Sequence, residues 1–92
     1  MENLNSVLIE GAITNRYFNK QENGRALFRT VIQMRSDDDF VFVPCEMLGA
    51  LAEKAAAQVV EGDSVRVVGK LKMVLWGDKE QLTLVAKIFD VL

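Results

Sequence analysis

The chain has 92 residues, one cysteine, no histidine, a formal net charge of −2 at pH 7 and a pI near 5.0. That length makes one domain, residues 1–92, with a small core, and a 50% hydrophobic content excludes a disordered chain. The lone thiol excludes an internal disulfide framework and suits a reducing compartment, so a cytoplasmic protein is expected; no apolar run approaches the roughly 20 residues of a membrane span, and the start MENLNSVLIEG lacks a basic n-region.

Asn5–Ile13 reads as a first strand, with Val7, Ile9, Gly11 and Ile13 on one parity. Gly11 within it predicts a bulge or a sharp bend. A polar connection, Thr14–Gly24, follows and ends in Asn23-Gly24, a pair that tolerates positive φ and marks a hairpin. Arg25–Arg35 is the second strand. Phe28, Thr30, Ile32 and Met34 take its core parity, leaving Arg29, Val31, Gln33 and Arg35 outside. After a polar turn, Ser36–Asp39, the third strand spans Phe40–Glu46, with Val41, Val43 and Cys45 on one face and Phe40 and Phe42 on the other. Pro44 has no backbone donor, which places this strand at an edge or near its end there.

Met47–Val60 is the helical segment. Leu48, Leu51, Ala52, Ala55 and Val59 recur at helical spacing, and Gly62 terminates it. Ser64–Trp76 is the fourth strand and the most informative one. Val65, Val67, Leu71 and Met73 share one parity; Arg66, Lys70, Lys72 and Trp76 share the other with Val68 and Val74. It therefore has a dry side and a basic side that ends in an aromatic ring. A basic face with an exposed ring is what single-stranded nucleic acid needs: cations for phosphates and a flat surface for a base. Gly77–Glu80 is a turn, and Gln81–Leu92 is the fifth strand, with Leu82, Leu84, Ala86 and Ile88 on one parity.

Five strands with one helix between the third and fourth is the order of the oligonucleotide/oligosaccharide-binding barrel, an all-β Greek-key fold. Strands two and three, with the loops between strands one and two and between four and five, form the usual binding face of such barrels. The acidic balance counts against a simple nucleic-acid reading, but charge location matters more than its sum. The acids gather in turns, at Asp37-Asp38-Asp39, Glu61, Asp63, Asp78 and Glu80, whereas Arg29, Arg35, Arg66, Lys70 and Lys72 lie in strands or at their ends.

Catalysis finds no support: there is no histidine, no phosphate-cradling glycine loop and no zinc spacing. Asp37–Asp39 is a solvated turn rather than a metal site, since its spacing is not that of a calcium loop. Cys45 is a buried apolar filler with no histidine to activate it, and the alanine-rich helix is a plug for the barrel. Two readings stand side by side for the remaining residues. Trp76 either stacks on a base or packs against the Thr14–Gly24 connection. Phe42, and similarly Phe40, is either a binding aromatic or part of a subunit interface. Arg66, Lys70 and Lys72 are either phosphate contacts or the solvated face of an antiparallel strand.

Several stretches resemble the bacterial single-stranded DNA-binding protein family. These are Asn5–Gly11 as its opening strand, Arg16-Tyr17 followed by Asn23-Gly24 as its first hairpin, Leu48–Glu53 as the start of its helix, Glu61–Leu71 as its fourth strand and Leu82–Leu92 as its last. The resemblance spans nearly the whole chain and rests on order and spacing. It implies stacking positions at Phe42 and Trp76. A third falls at Leu48, which has no ring, and a fourth has no counterpart because Asp37–Asp39 occupy that region. The long flexible tail that recruits partner enzymes in family members has no counterpart within these 92 residues. The short body also resembles primosomal replication protein B, through Arg35-Ser36 and Cys45-Glu46-Met47.

The expectation is a non-sequence-specific single-stranded DNA-binding module of replication, recombination or repair, without catalytic activity, cofactor or metal. Trp76 and secondarily Phe42 stack on bases, Phe40 assists, and Lys70, Lys72, Arg29, Arg35 and Arg66 neutralise phosphates. By the resemblance it self-associates, as a dimer or tetramer, along the strand-one edge, Asn5–Glu10. The competing expectation is a protein–protein adaptor of a replication or primosome complex with weak DNA affinity.

Overall fold

The structure, a computed structural model, describes residues 3–92. Its elements are β1 (Val7–Lys20), β2 (Ala26–Ser36), β3 (Asp39–Leu48), α1 (Ala50–Gln58), β4 (Ser64–Trp76) and β5 (Lys79–Val91). The strands close a barrel in the order β1-β2-β3-β5-β4. Only the β3–β5 contact is parallel. This is the expected five-stranded oligonucleotide/oligosaccharide-binding barrel with its helix between β3 and β4.

Closure depends on β1 serving two neighbours. Val7–Ala12 pairs with β4, and Ala12–Lys20 pairs with β2. The change of partner bends the strand, and the ladder slips between Ile13 and Asn15, where the Thr14 hydroxyl donates to the Val31 carbonyl at 2.7 Å. The bulge thus falls three residues beyond Gly11. Gly11 instead permits close approach of β2: a Cβ there would meet the Gln33 carbonyl oxygen at 2.5 Å and the Ile32 side chain at 2.7 Å.

β1 also runs seven residues past Ile13, through the stretch expected to be a polar connection. There it is an edge strand on β2, whose other side pairs with β3, and its own side chains are largely exposed, so the sequence shows no apolar alternation. The turn itself occupies Gln21–Arg25, with Gly24 at φ 82° as the Asn23-Gly24 signal predicts.

The core contains Ile13, Phe28, Ile32, Cys45, Met47, Val65, Val67, Leu84 and Phe89, with Ala52, Ala55 and Val59 from the helical segment closing one end. α1 is shorter than Met47–Val60 because β3 continues to Leu48 and Gly49, at φ 65°, turns the chain into the helix. A helix end leaves carbonyls without partners. Arg16 of β1 donates to the carbonyls of Ala56 and Val59, so this residue secures the plug.

Four expected core positions are exposed. Met73 and Leu82 face each other in a part of the β4–β5 hairpin that extends beyond the barrel, where nothing covers them. Val41 lies near the end of the β2–β3 hairpin for the same reason. Ile88 is exposed because β5 carries one extra residue at Lys87: Val68 pairs with Ile88 but Gly69 with Ala86. Phe89 takes the inward place instead, being 1% exposed.

Candidate nucleic-acid interface

Residues paired across two strands point to the same side of the sheet. In β2–β3 the pairs Phe28–Met47, Thr30–Cys45 and Ile32–Val43 point inward. The intervening pairs, Arg29–Glu46, Val31–Pro44, Gln33–Phe42 and Arg35–Phe40, therefore point outward. In β4–β5 the pairs Lys70–Val85, Lys72–Thr83, Val74–Gln81 and Trp76–Lys79 share one face. The parallel pairing of Glu46 with Val85 joins the two sets into one outer surface. Of the residues expected at the site, Trp76, Phe42, Phe40, Lys70, Lys72, Arg29 and Arg35 all lie on it.

Arg66 is placed apart. It lies on the stretch of β4 that pairs with β1, about 13 Å along the strand from Lys70. Its guanidinium forms an ion pair with Glu10 at 2.5 Å, and Asp90 lies across from it on β5. Lys70, Lys72 and Arg35 are exposed, and none of them forms an ion pair among the described residues.

Trp76 is half-buried and braced. Its Nε1–H donates to Thr83 Oγ1 at 3.0 Å, and the Arg29 guanidinium lies over the indole, 4.9 Å from the ring centroid. Arg29 also pairs with Glu46 at 3.0 Å and donates to the Leu75 carbonyl at 2.9 Å. Phe40 and Phe42 are 57% and 58% exposed on the β2–β3 hairpin. The Asp37–Asp39 turn caps that hairpin, about 25 Å along β2 from Arg29.

A cleft of about 510 Å³ opens between the tip of the β4–β5 hairpin and the outer face of β1 and β2. Trp76 and Gly77 form one wall, Tyr17 and Asn15 the other, and Arg29 and Val31 the floor. Tyr17 is 52% exposed and pairs with Arg29 across β1–β2, which sets its ring on the same outer face. It was absent from the expected site because its segment has the sequence of a loop. Only the β1–β2 register reveals which way it points, although its parity with Asn15 and Asn19 was visible.

No group of three or more Cys, Asp or Glu side chains is placed to hold a metal ion among the described residues. Cys45 is buried, and burial, reinforced by the neighbouring Glu46 charge, pushes its thiol up to about 12. It stays protonated and unreactive at neutral pH.

The family model described as "Single-strand binding protein family" matches residues 4–90. No curated protein matches the sequence. Among solved structures, a deletion mutant of the single-stranded DNA binding protein from Thermus aquaticus superposes with a TM-score of 0.84 at 23% identity. The match covers 97% of this chain but only 41% of that one, so this chain spans less than half of its length. The SSB domain of a Synechococcus sp. protein superposes with a TM-score of 0.80 at 14% identity, covering 97% of both chains. Similarity at these identities concerns the fold.

Proposed function

The chain belongs to the single-strand binding protein family, and from that membership we propose that it holds single-stranded DNA on the outer face of β2, β3 and the β4–β5 hairpin, without reading its sequence. The observation that carries the reading is the cleft between Tyr17 and Trp76, which opens on the same outer face as Lys70 and Lys72, two lysines that form no ion pair among the described residues. Rings stack on any base because every base has a π-face, and cations follow the backbone whatever the sequence. Lys70 and Lys72 neutralise phosphates about 13–20 Å along β4 from Trp76, with Arg35 and Phe42 continuing the track along β2–β3. Phe40 and Arg66 are peripheral: one borders the acidic turn and the other is paired with Glu10.

Arg29 contributes to the site, and its pairing with Glu46 reduces the charge it offers to phosphate. With Lys70, Lys72 and Arg35 as three phosphate contacts, log K falls against log salt with a slope of about −2. That is about an 18-fold loss for a fourfold rise in salt.

Self-association along β1 belongs to the same reading. From Val7 to Gly11 one edge of β1 is paired with β4, while β2 joins only from Ala12, so the other edge is open to a second strand. Asn5 fixes the approach to that edge through hydrogen bonds with the Leu71 backbone amide and carbonyl, both at 2.9 Å. The roles in view are replication, recombination and repair, as a binding module that performs no chemistry. The adaptor reading is favoured by one feature, the exposed Phe40 and Phe42 beside three carboxylates, which repels phosphate at that end.

The deciding experiment is titration of Trp76 fluorescence with oligo-dT at low and moderate salt. Quenching that weakens with salt supports DNA binding. No quenching at low salt and high protein concentration refutes it and leaves the adaptor reading.

A further inference from the structure

Glu46 is an anomaly on a face meant for a polyanion. It is 7% exposed, lies on the outer surface and carries a negative charge where phosphate is to approach. A carboxylate so placed needs a partner, and it has one. Arg29 Nε donates to Glu46 Oε1 at 3.1 Å, and Arg29 Nη2 lies 3.0 Å from the same oxygen. Nη2 also reaches the Leu75 carbonyl at 2.9 Å, one residue before Trp76. With those contacts made, the planar guanidinium lies over the indole.

We propose that Glu46 is a positioning residue for Trp76: through Arg29 it pins the indole at the hairpin tip, leaves one ring face for a base, and withholds the Arg29 charge from phosphate. The proposal rests on the reading of Trp76 as a base platform. Its physical content is pre-organisation. A ring at the end of a protruding hairpin otherwise explores several rotamers and loses that freedom on binding. Here the Nε1–H bond to Thr83 fixes the ring edge and Arg29 fixes one face before DNA arrives. The same contacts set a limit. The covered face cannot stack, so Trp76 serves one base rather than sitting between two. The Arg29–Glu46 pair is neutral as a unit, so binding releases no counterion on its account.

Two variants test this. Glu46→Gln keeps the shape and an oxygen acceptor but removes the charge; Arg29→Lys keeps the charge but loses the planar fork. In the free protein, acrylamide quenching of Trp76 is expected to rise in both, because the indole face is uncovered. With oligo-dT, Glu46→Gln is expected to steepen the salt slope by about 0.7, as Arg29 becomes free to contact a phosphate. Between 50 and 200 mM salt this adds about a 2.6-fold loss of affinity beyond that of the parent.

A merely structural Glu46 would lower the urea midpoint and move neither readout. Unchanged acrylamide access in Arg29→Lys overturns the pinning even if Glu46→Gln fails to fold. An unchanged salt slope in folded Glu46→Gln overturns the withholding of charge. A parent protein that does not bind oligo-dT refutes the function proposed above, while the acrylamide result on free protein still decides the positioning.

Discussion

Replacing Trp76 with Ala separates binding from folding unusually well in this chain. The ring is half-buried, and its hydrogen-bond partner does not become an orphan when it goes: the Thr83 hydroxyl keeps its own bond to the Gln81 carbonyl at 3.0 Å. Arg29 likewise keeps Glu46 and the Leu75 carbonyl. The folding loss is then mainly the cation–π contact, about 0.5–1 kcal/mol, with a modest loss of apolar packing. A cost near 1 kcal/mol lowers Tm by about 4–8 °C in a chain of this size. A stacked aromatic contributes about 1–3 kcal/mol per base, so affinity for oligo-dT is expected to fall by about 5- to 160-fold. Trp76 is the sole tryptophan, so the variant has no intrinsic signal and anisotropy of a labelled oligonucleotide at low salt is the assay. Trp76→Phe keeps a stacking surface and is expected to fall between parent and Ala. If Trp76→Ala, folded at the assay temperature, binds within about twofold of the parent, the ring is not a base platform.

Three further outcomes follow from the geometry. Lys70→Ala combined with Lys72→Ala is expected to flatten the plot of log K against log salt by about 1.4, at about 0.7 per lost phosphate contact, with no preference among base sequences. Gly69→Ala is expected to unfold the chain or lower its Tm by more than about 10 °C, because the new Cβ would overlap the Val85 backbone where β4 and β5 change register, and backbone yields little. Cys45 governs a pH effect. Its thiol is raised from 9.0 to about 12 in the folded chain, so the unfolded chain loses the proton first and stability falls as pH climbs from about 9 toward 12. Urea midpoints across that window are expected to decline less steeply for Cys45→Ala than for the parent, and parallel declines would refute the assignment.

The fold was legible wherever one side of a strand faces the core. Phe28, Thr30 and Ile32 in β2, and Val65 and Val67 in β4, alternate in sequence as they do in burial. The Asn23-Gly24 turn and the alanine-rich helix were likewise written in local chemistry. Alternation misled where a strand leaves the barrel. Met73 and Leu82 keep the parity of core residues on a hairpin with nothing to cover them, and the extra residue at Lys87 exchanges Ile88 for Phe89. The second half of β1 has the sequence of a loop because, in an exposed edge strand, neither face is required to be apolar.

For the site, the amino-acid sequence by itself determined the inventory: one tryptophan, two exposed lysines two residues apart on one strand face, phenylalanines outside β3, and an acidic turn at a hairpin end. Spacing along a single strand is local, and the period-2 pleat enforces it. Only the tertiary structure decided which of these meet. Cross-strand register brings Tyr17 beside Arg29, and the closure of the barrel brings both under Trp76. The β2–β3 register sets Glu46 against Arg29, and the β1–β4 pairing that closes the barrel sends Arg66 to Glu10, far from Lys70. The two ion pairs join residues 17 and 56 positions apart, and no local preference encodes them. They follow from where the β1 bulge, Gly11 and Gly69 allow the strands to bend and approach.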